Sequence, residues 1–293
     1  MTDRSLVPLL SETEGADLDA AALGDTLYER SRSIVATPDL ALKVSIAYRT
    51  ARDWFGRRLA RGSARVAGPM PSRPGRPDRP LLVAPRDMPR RSRGGAGSGK
   101  VALVHSLAHI ELNAVDLTWD LIGRFIDEPM PRSFFDDWVQ VGLEEAKHFA
   151  LLDRRLKELD AAYGDLPAHD GLWQAAEATG HDLTARLAVI PLVLEARGLD
   201  VTPTMGEKVR QTGDHATAAI LDVIYRDERR HVAFGAKWFR FLCDRQRRAP
   251  EPAFHDLVRA CFRGALKPPF NDRARSEAGL TPGFYKPLAS LIG

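Results

Sequence analysis

The chain has 293 residues, 44% of them apolar, enough to fill a sizeable core without any transmembrane run of about 20 apolar residues. Its 28% charged content with a formal net charge of +3 is mildly basic, short of the clustered basic surface of a nucleic-acid-binding domain. Cys243 and Cys261 are the only cysteines, which excludes a disulfide framework and a thiolate zinc or rubredoxin-type iron site.

The opening residues, MTDRSLVPLLSETEG, are acidic and lack a charged-then-apolar leader pattern, so the expected location is cytoplasmic with no membrane partner. Residues 1–13 read as loose. A helix is expected from Thr37 to about Ala60, with Thr37 as cap and Pro38 at the first helical position. Val44, Ala47, Tyr48, Ala51, Trp54 and Phe55 give it an apolar stripe at helical spacing. Between Gly62 and Gly99 the chain becomes rich in Pro, Gly and Arg, and an extended arm (64–93) over a surface is expected.

Helical patterning returns at Val101. A first long helix is expected over 101–126, ended by Glu128-Pro129. A second runs over 134–160, with Ser133 and Asp136 as a capping arrangement. A third spans 171–197, capped by Asp170 and stopped by Gly198. A short helix starts at Thr202-Pro203 and is interrupted by Gly213. A fourth long helix runs from about Asp214 to Arg247. With no β-rich runs between them, the expected class is all-α, a four-helix bundle over 100–247. Residues 1–99 form its N-terminal helical segment and arm, and 248–293 a tail packed on it.

The second and fourth helices each carry Glu-x-x-His: Glu145-Ala-Lys-His148 and Glu228-Arg-Arg-His231. Residues three apart project from one helix face, so each pair can grip one metal ion. The first and third helices each place a glutamate among apolar neighbours, Glu111 in HIELNAVDL and Glu195 in IPLVLEARG. Glu145 follows Glu111 by 34 residues and Glu228 follows Glu195 by 33. The sequence thus holds two similar hairpins, and a glutamate inside an apolar face is costly unless paired or metal-bound. Four carboxylates and two imidazoles on four helices match the ligand set of ferritin-like di-iron proteins. The alternative for Glu195 is a surface residue salt-bridged to Arg197.

Glu144 and Asp227 precede the two motif glutamates in equivalent places and are candidate supports for the imidazoles, Asp227 for His148 and Glu144 for His231. Lys147 and Arg230 are equivalent candidates to neutralise them. Tyr225 and Trp238 are candidate cavity aromatics. His105 and His109 lie one turn apart, with Asp116 on the face of His109. His109 is rotated about 200° from Glu111, which points to a hydrogen-bonded structural role. Pro191 is expected to kink the third helix one turn before Glu195. Gly94–Lys100 mimics the glycine–lysine part of a phosphate-binding loop, but Val101 stands where a Ser or Thr would hold magnesium, and the stretch reads as a flexible linker.

HSLAHIELNAVDLTWDLIGRF, DDWVQVGLEEAKHFALLDRRL, GDLPAHDGLW, LEARGLDVTP and RDERRHVAFGAKWF, with RPGRPDRP and KPPFNDRARSEAGLTP, resemble an uncharacterised bacterial ferritin-like family over about 70–280. The resemblance implies a helical di-metal fold and no particular reaction. The helix plan is also similar to MiaE-type tRNA-modifying di-iron hydroxylases. Asp227-Glu228-Arg229-Arg230-His231 resembles the D-E-x-R-H form of di-iron monooxygenases, and rubrerythrin-like peroxidases share the ligand plan.

The leading expectation is an O2-activating, hydroxylase-like oxidoreductase with two iron ions and an external electron donor, its substrate a small molecule or RNA. Mixed N/O ligation also suits Mn/Fe or Mn2 centres. The alternatives are a peroxide-consuming or ferroxidase protein and a non-catalytic metal-binding protein. An RNA-modifying enzyme should bring Arg90, Arg91, Arg93 and Lys100 to the mouth of its pocket.

Overall fold

The computed structural model describes residues 24–84, 87 and 96–289, and every regular element among them is a helix. The chain divides into two compact units, Met1–Trp173 and Gln174–Gly293, so the boundary falls between the two Glu…Glu-x-x-His hairpins. No described helix is long and apolar enough to cross a membrane.

Among the described residues the first element of this unit is α1 (Leu27–Ala36), closed by a capping box in which Glu29 N–H donates to Thr26 Oγ1 and Glu29 Oε2 accepts from Thr26 N–H. This helix lies outside the elements expected from the sequence, although its T-x-x-E signature stands there. Helix α2 (Leu40–Phe55) is capped by Asp39, whose Oδ1 accepts from Leu42 N at 2.8 Å, and Thr37 instead closes the C-terminus of α1. A single turn, α3 (Ala64–Ala67), precedes the arm. Helices α4 (Ala96–Arg124) and α5 (Arg132–Glu158) pack against each other, α4 against α1 and α5 against α2. Residues 96–100 thus form the first turns of α4 and not a linker; 94 and 95 lie outside the described residues. The expected Ser133–Asp136 cap is not formed. Helix α5 starts after Pro131, and Asp136 accepts the Trp54 indole N–H at 2.8 Å.

The described part of the arm lies on its own unit. Gly75 N donates to Val35 O at 2.8 Å, and Lys43 Nζ to Gly75 O at 3.1 Å. Arg76 donates to Asn113 Oδ1 at 2.6 Å, and Arg73 and Arg76 both pair with Asp170. Asp170, directly before the helix that starts at Gly171, is thus an ion-pair partner of the arm. Residues 81–83 bond Ala168 in both directions, at 3.0 and 2.8 Å.

The expected helix over 171–197 is broken. Helix α6 (Gly171–Ala178) is followed by α7 (Leu183–Val189), capped by Asp182, and by a π-helical segment Ile190–Glu195 that contains Pro191. The distortion expected at Pro191 is present, and Ala196 N–H reaches back five residues to Pro191 O. Helix α8 (Ala196–Gln211) continues through both Gly198 and Pro203, the residues expected to stop and restart it. Pro203 cannot donate to Leu199 O, four residues earlier. The Asn271 side chain supplies that bond at 3.1 Å, so tail packing overrides the local breaker signal. Gly213, at φ +80°, turns the chain into α9 (His215–Arg245), capped by Asp214.

The tail is helical in three pieces, α10 (Pro250–Cys261), α11 (Asp272–Glu277) and α12 (Pro282–Ala289). Buried Arg275 forks onto buried Asp200 of α8 at 2.8 and 2.7 Å, a bidentate pair that fixes α11 on α8.

Candidate metal centre

In the first unit, α4 supplies Glu111 and one turn of α5 supplies Glu145 and His148. His148 Nδ1 lies 3.2 Å from Glu111 Oε2 and 3.5 Å from Glu145 Oε2. All three side chains are buried. Each offers a donor atom, and those atoms lie within 4.8 Å of one another.

The second unit repeats the arrangement. Glu195 ends the π-helical segment, and one turn of α9 supplies Glu228 and His231. His231 Nδ1 lies 3.8 Å from Glu228 Oε1, and donor atoms of all three fall within 4.8 Å. The Glu195 residue is half-buried, but both its carboxylate oxygens are shielded from solvent. The surface alternative is not realised: Arg197 turns to Asp200 at 3.3 Å and to the carbonyls of Lys267 and Pro269 at 2.8 and 3.0 Å.

The local structure explains why these donors converge. Gly142 lets α5 approach α4 closely one turn before Glu145, since a Cβ there would meet the Trp119 ring at 2.8 Å. Gly235 does the same in the second unit, where a Cβ would meet Pro191 Cβ at 2.5 Å. The extra residue per turn of a π-helical segment rotates the side chains beyond it, and here it sets the direction of Glu195.

The donor set fits a divalent cation. Each group holds two carboxylates and one imidazole, whose double negative charge one divalent ion would neutralise. Hard oxygen with borderline nitrogen suits iron or manganese, and no cysteine belongs to either group.

Around the candidate ligands, buried Glu144 accepts from Gln140 Nε2 at 2.6 Å, and Lys147 is buried one turn further along α5. Buried Asp227 lies 3.5 Å from Arg226 and 3.3 Å from the half-exposed Arg230. Gln140 carries no sequence signal beyond its place one turn before Glu144. The Tyr225 hydroxyl accepts from Asn271 Nδ2 at 3.5 Å, tying it to the tail. Trp238 is buried beneath Lys237, whose ammonium stands 4.5 Å from the ring centre. Gly198, by its sequence context only a helix stop, leaves room beside a candidate ligand: a Cβ there would stand 3.9 Å from Glu228 Oε2.

His105 and His109 are structural, as their rotation from Glu111 implies. His109 Nδ1 is 2.8 Å from the Tyr163 hydroxyl and its Nε2 3.0 Å from His169 O. Burial pushes its pKa down to about 4. His105 Nε2 accepts from Gly164 N–H at 2.9 Å, and burial lowers its pKa too. Asp116 pairs with Lys43 and, at 3.6 Å, with Arg76. Arg90, Arg91 and Arg93 lie outside the described residues, and Lys100 is in the first turns of α4.

A model of the family described as "Protein of unknown function (DUF455)" matches residues 36–286. The chain is also 42% identical over 210 residues to an "Uncharacterized protein" of Haemophilus influenzae, covering 70% of this chain and 73% of that one. No solved structure matches.

Proposed function

The chain belongs to this family, and from that premise we propose that its two half-sites together bind a pair of iron ions and serve an O2-activating oxidoreductase. The observation that carries the reading is the matched pair of buried Glu/Glu/His groups, one in each unit. Their repetition at nearly equal spacing argues against two chance clusters. We read the helices that carry the ligands as a ferritin-like four-helix bundle, because Glu, Glu-x-x-His, Glu, Glu-x-x-His in chain order is that fold's ligand plan.

Glu111, Glu145 and His148 would hold one ion, and Glu195, Glu228 and His231 the other. A ferrous pair held there would supply two-electron chemistry toward O2, with an external electron donor restoring the ferrous state, the class of chemistry that hydroxylates or desaturates an organic substrate. The chain's own residues hold the four carboxylates away from water, and His148 Nδ1 lies within 3.5 Å of two of them. Glu144 and Asp227 orient this shell, and Lys147 and Arg230 offset its charge. Manganese in one or both positions is compatible with the same donors.

The test is anaerobic loading with ferrous iron, followed by rapid mixing with O2 or with peroxide under optical detection. An O2-dependent transient lost in Glu145→Ala supports the oxygenase reading. Reaction with peroxide alone replaces it by a peroxidase. Tight metal retention with no reaction to either leaves only a metal-binding protein.

A further inference from the structure

We propose that a cavity at the start of α5 binds a small aromatic carboxylate. Trp54, Arg61, Met130, Arg132 and Phe135 line a space of about 110 Å³ within the first unit. Drug-sized ligands need roughly 300 Å³ or more, so the occupant is about one ring in size. Trp54, Met130 and Phe135 are buried and give the cavity apolar walls. Arg61 and Arg132 are exposed and place two cations at its mouth.

The Trp54 and Phe135 rings meet edge to face, with 6.5 Å between centres and 68° between planes. Each carries an arginine: the Arg132 guanidinium stands 3.8 Å from the Trp54 ring centre, and that of Arg61 5.8 Å from the Phe135 ring centre. The neighbouring acid is Asp136, which accepts the Trp54 indole N–H at 2.8 Å and lies 3.7 Å from Arg132 Nε. Arg132 Nη2 donates to Trp54 O at 3.3 Å. These contacts hold Arg132 by two of its nitrogens. Among the described residues, neither Arg132 Nη1 nor any guanidinium nitrogen of Arg61 has a protein acceptor. Met130, Arg132 and Phe135 also border the start of α5, a 27-residue helix that no side chain caps, so its first N–H groups add partial positive charge at the same place.

Aromatic walls behind two cations are the chemistry that recognises a flat apolar body with an anionic end. A carboxylate meets a guanidinium edge through charge-assisted hydrogen bonds, and its ring packs on the aromatic walls. Inorganic phosphate would use the cations and leave the walls idle. A neutral arene would fill the walls and leave the cations idle. Phe135 precedes Glu145 by ten residues, roughly 15 Å along α5, so the cavity is separate from the candidate metal centre. The inference rests on neither metal binding nor O2 chemistry.

The test is isothermal titration calorimetry of the full chain with sodium benzoate, beside benzamide, cyclohexanecarboxylate and inorganic phosphate. Benzoate should bind once per chain with a Kd of about 1 mM or below. Benzamide, which lacks the charge, should bind about tenfold more weakly or worse. Cyclohexanecarboxylate, which lacks the flat ring, should bind about fivefold more weakly. Arg61→Gln should weaken benzoate binding about fivefold or more, and Arg61→Gln with Arg132→Gln should abolish it. Arg210→Ala, at an exposed pair with Asp222, should leave binding unchanged. Circular dichroism melts confirm that each variant is folded. No binding of benzoate at about 10 mM, or benzamide bound as tightly, would overturn the site. So would phosphate bound in preference to benzoate, equal loss from Arg210→Ala, or insensitivity to Arg61→Gln and Arg132→Gln together.

Discussion

Lys43 on α2 and Asp116 on α4 form an ion pair with both side chains fully out of solvent. Lys43 also donates to the arm at Gly75 O, and Arg76 of the arm approaches the second Asp116 oxygen. One carboxylate therefore joins two helices and the arm. Asp116→Ala should lose about 3–5 kcal/mol in urea unfolding, because a buried ammonium is left with its main counter-charge gone. Lys43→Met combined with Asp116→Leu should lose much less. Equal losses in the single and double variants would show that packing, and not the charge pair, dominates.

Pro203 and Asn271 are coupled by a missing hydrogen bond. Asn271→Ala removes the donor to Leu199 O and the cap of α11, where Ala274 N–H bonds Asn271 Oδ1. The expected cost is about 2–4 kcal/mol. Pro203→Ala restores a backbone N–H four residues after Leu199, so the double variant should recover part of that loss. Additive effects would remove the proposed coupling.

Gly235→Ala sets two effects against each other. Alanine is favoured over glycine in a helix by about 1 kcal/mol. Its Cβ would meet the rigid Pro191 ring at 2.5 and 2.8 Å, and such overpacking costs about 1–3 kcal/mol. The clash should win, lowering the melting temperature and weakening metal retention at the Glu195 half-site more than at the other. A stabilised variant with full metal content would contradict this.

His105 gives the acid limb of stability a definite sign. Burial depresses its folded pKa below 6.5, and a protonated Nε2 could not accept from Gly164 N–H. Above pH 6.5 the imidazole is neutral in both states. As pH falls below 6.5 the unfolded chain binds the proton first, and stability is lost. His105→Gln keeps a hydrogen-bond acceptor without titrating, so the fall in urea midpoint below pH 6.5 should be shallower. An unchanged slope would place the acid sensitivity elsewhere.

The candidate ligands are legible in the sequence because they depend on local periodicity: residues three apart on an α-helix share a face whatever surrounds them. Glu195 is legible as a residue but not in its geometry, since the π-helical segment that aims it is set by Pro191 packing against Gly235. Asp170 reads from its neighbours only as a cap, and its ion pairs with Arg73 and Arg76, nearly a hundred residues away, carry no local signal. Pro203 fails as a breaker because of a contact remote in sequence: Asn271 repairs the backbone from the tail. Helix α1 announces itself only through Thr26 and Glu29, because Arg30 and Ser31 occupy buried positions and blur its apolar stripe.

On the proposed assignment, Glu111, Glu145 and His148 hold one metal ion while Glu195, Glu228 and His231 hold a second. Metal analysis after anaerobic ferrous loading and desalting tests it most directly, with Glu145→Ala beside the unmodified chain. The account predicts two tightly held ions per chain, and at most one in the variant. A chain that retains none, or a variant that still retains both, would contradict it.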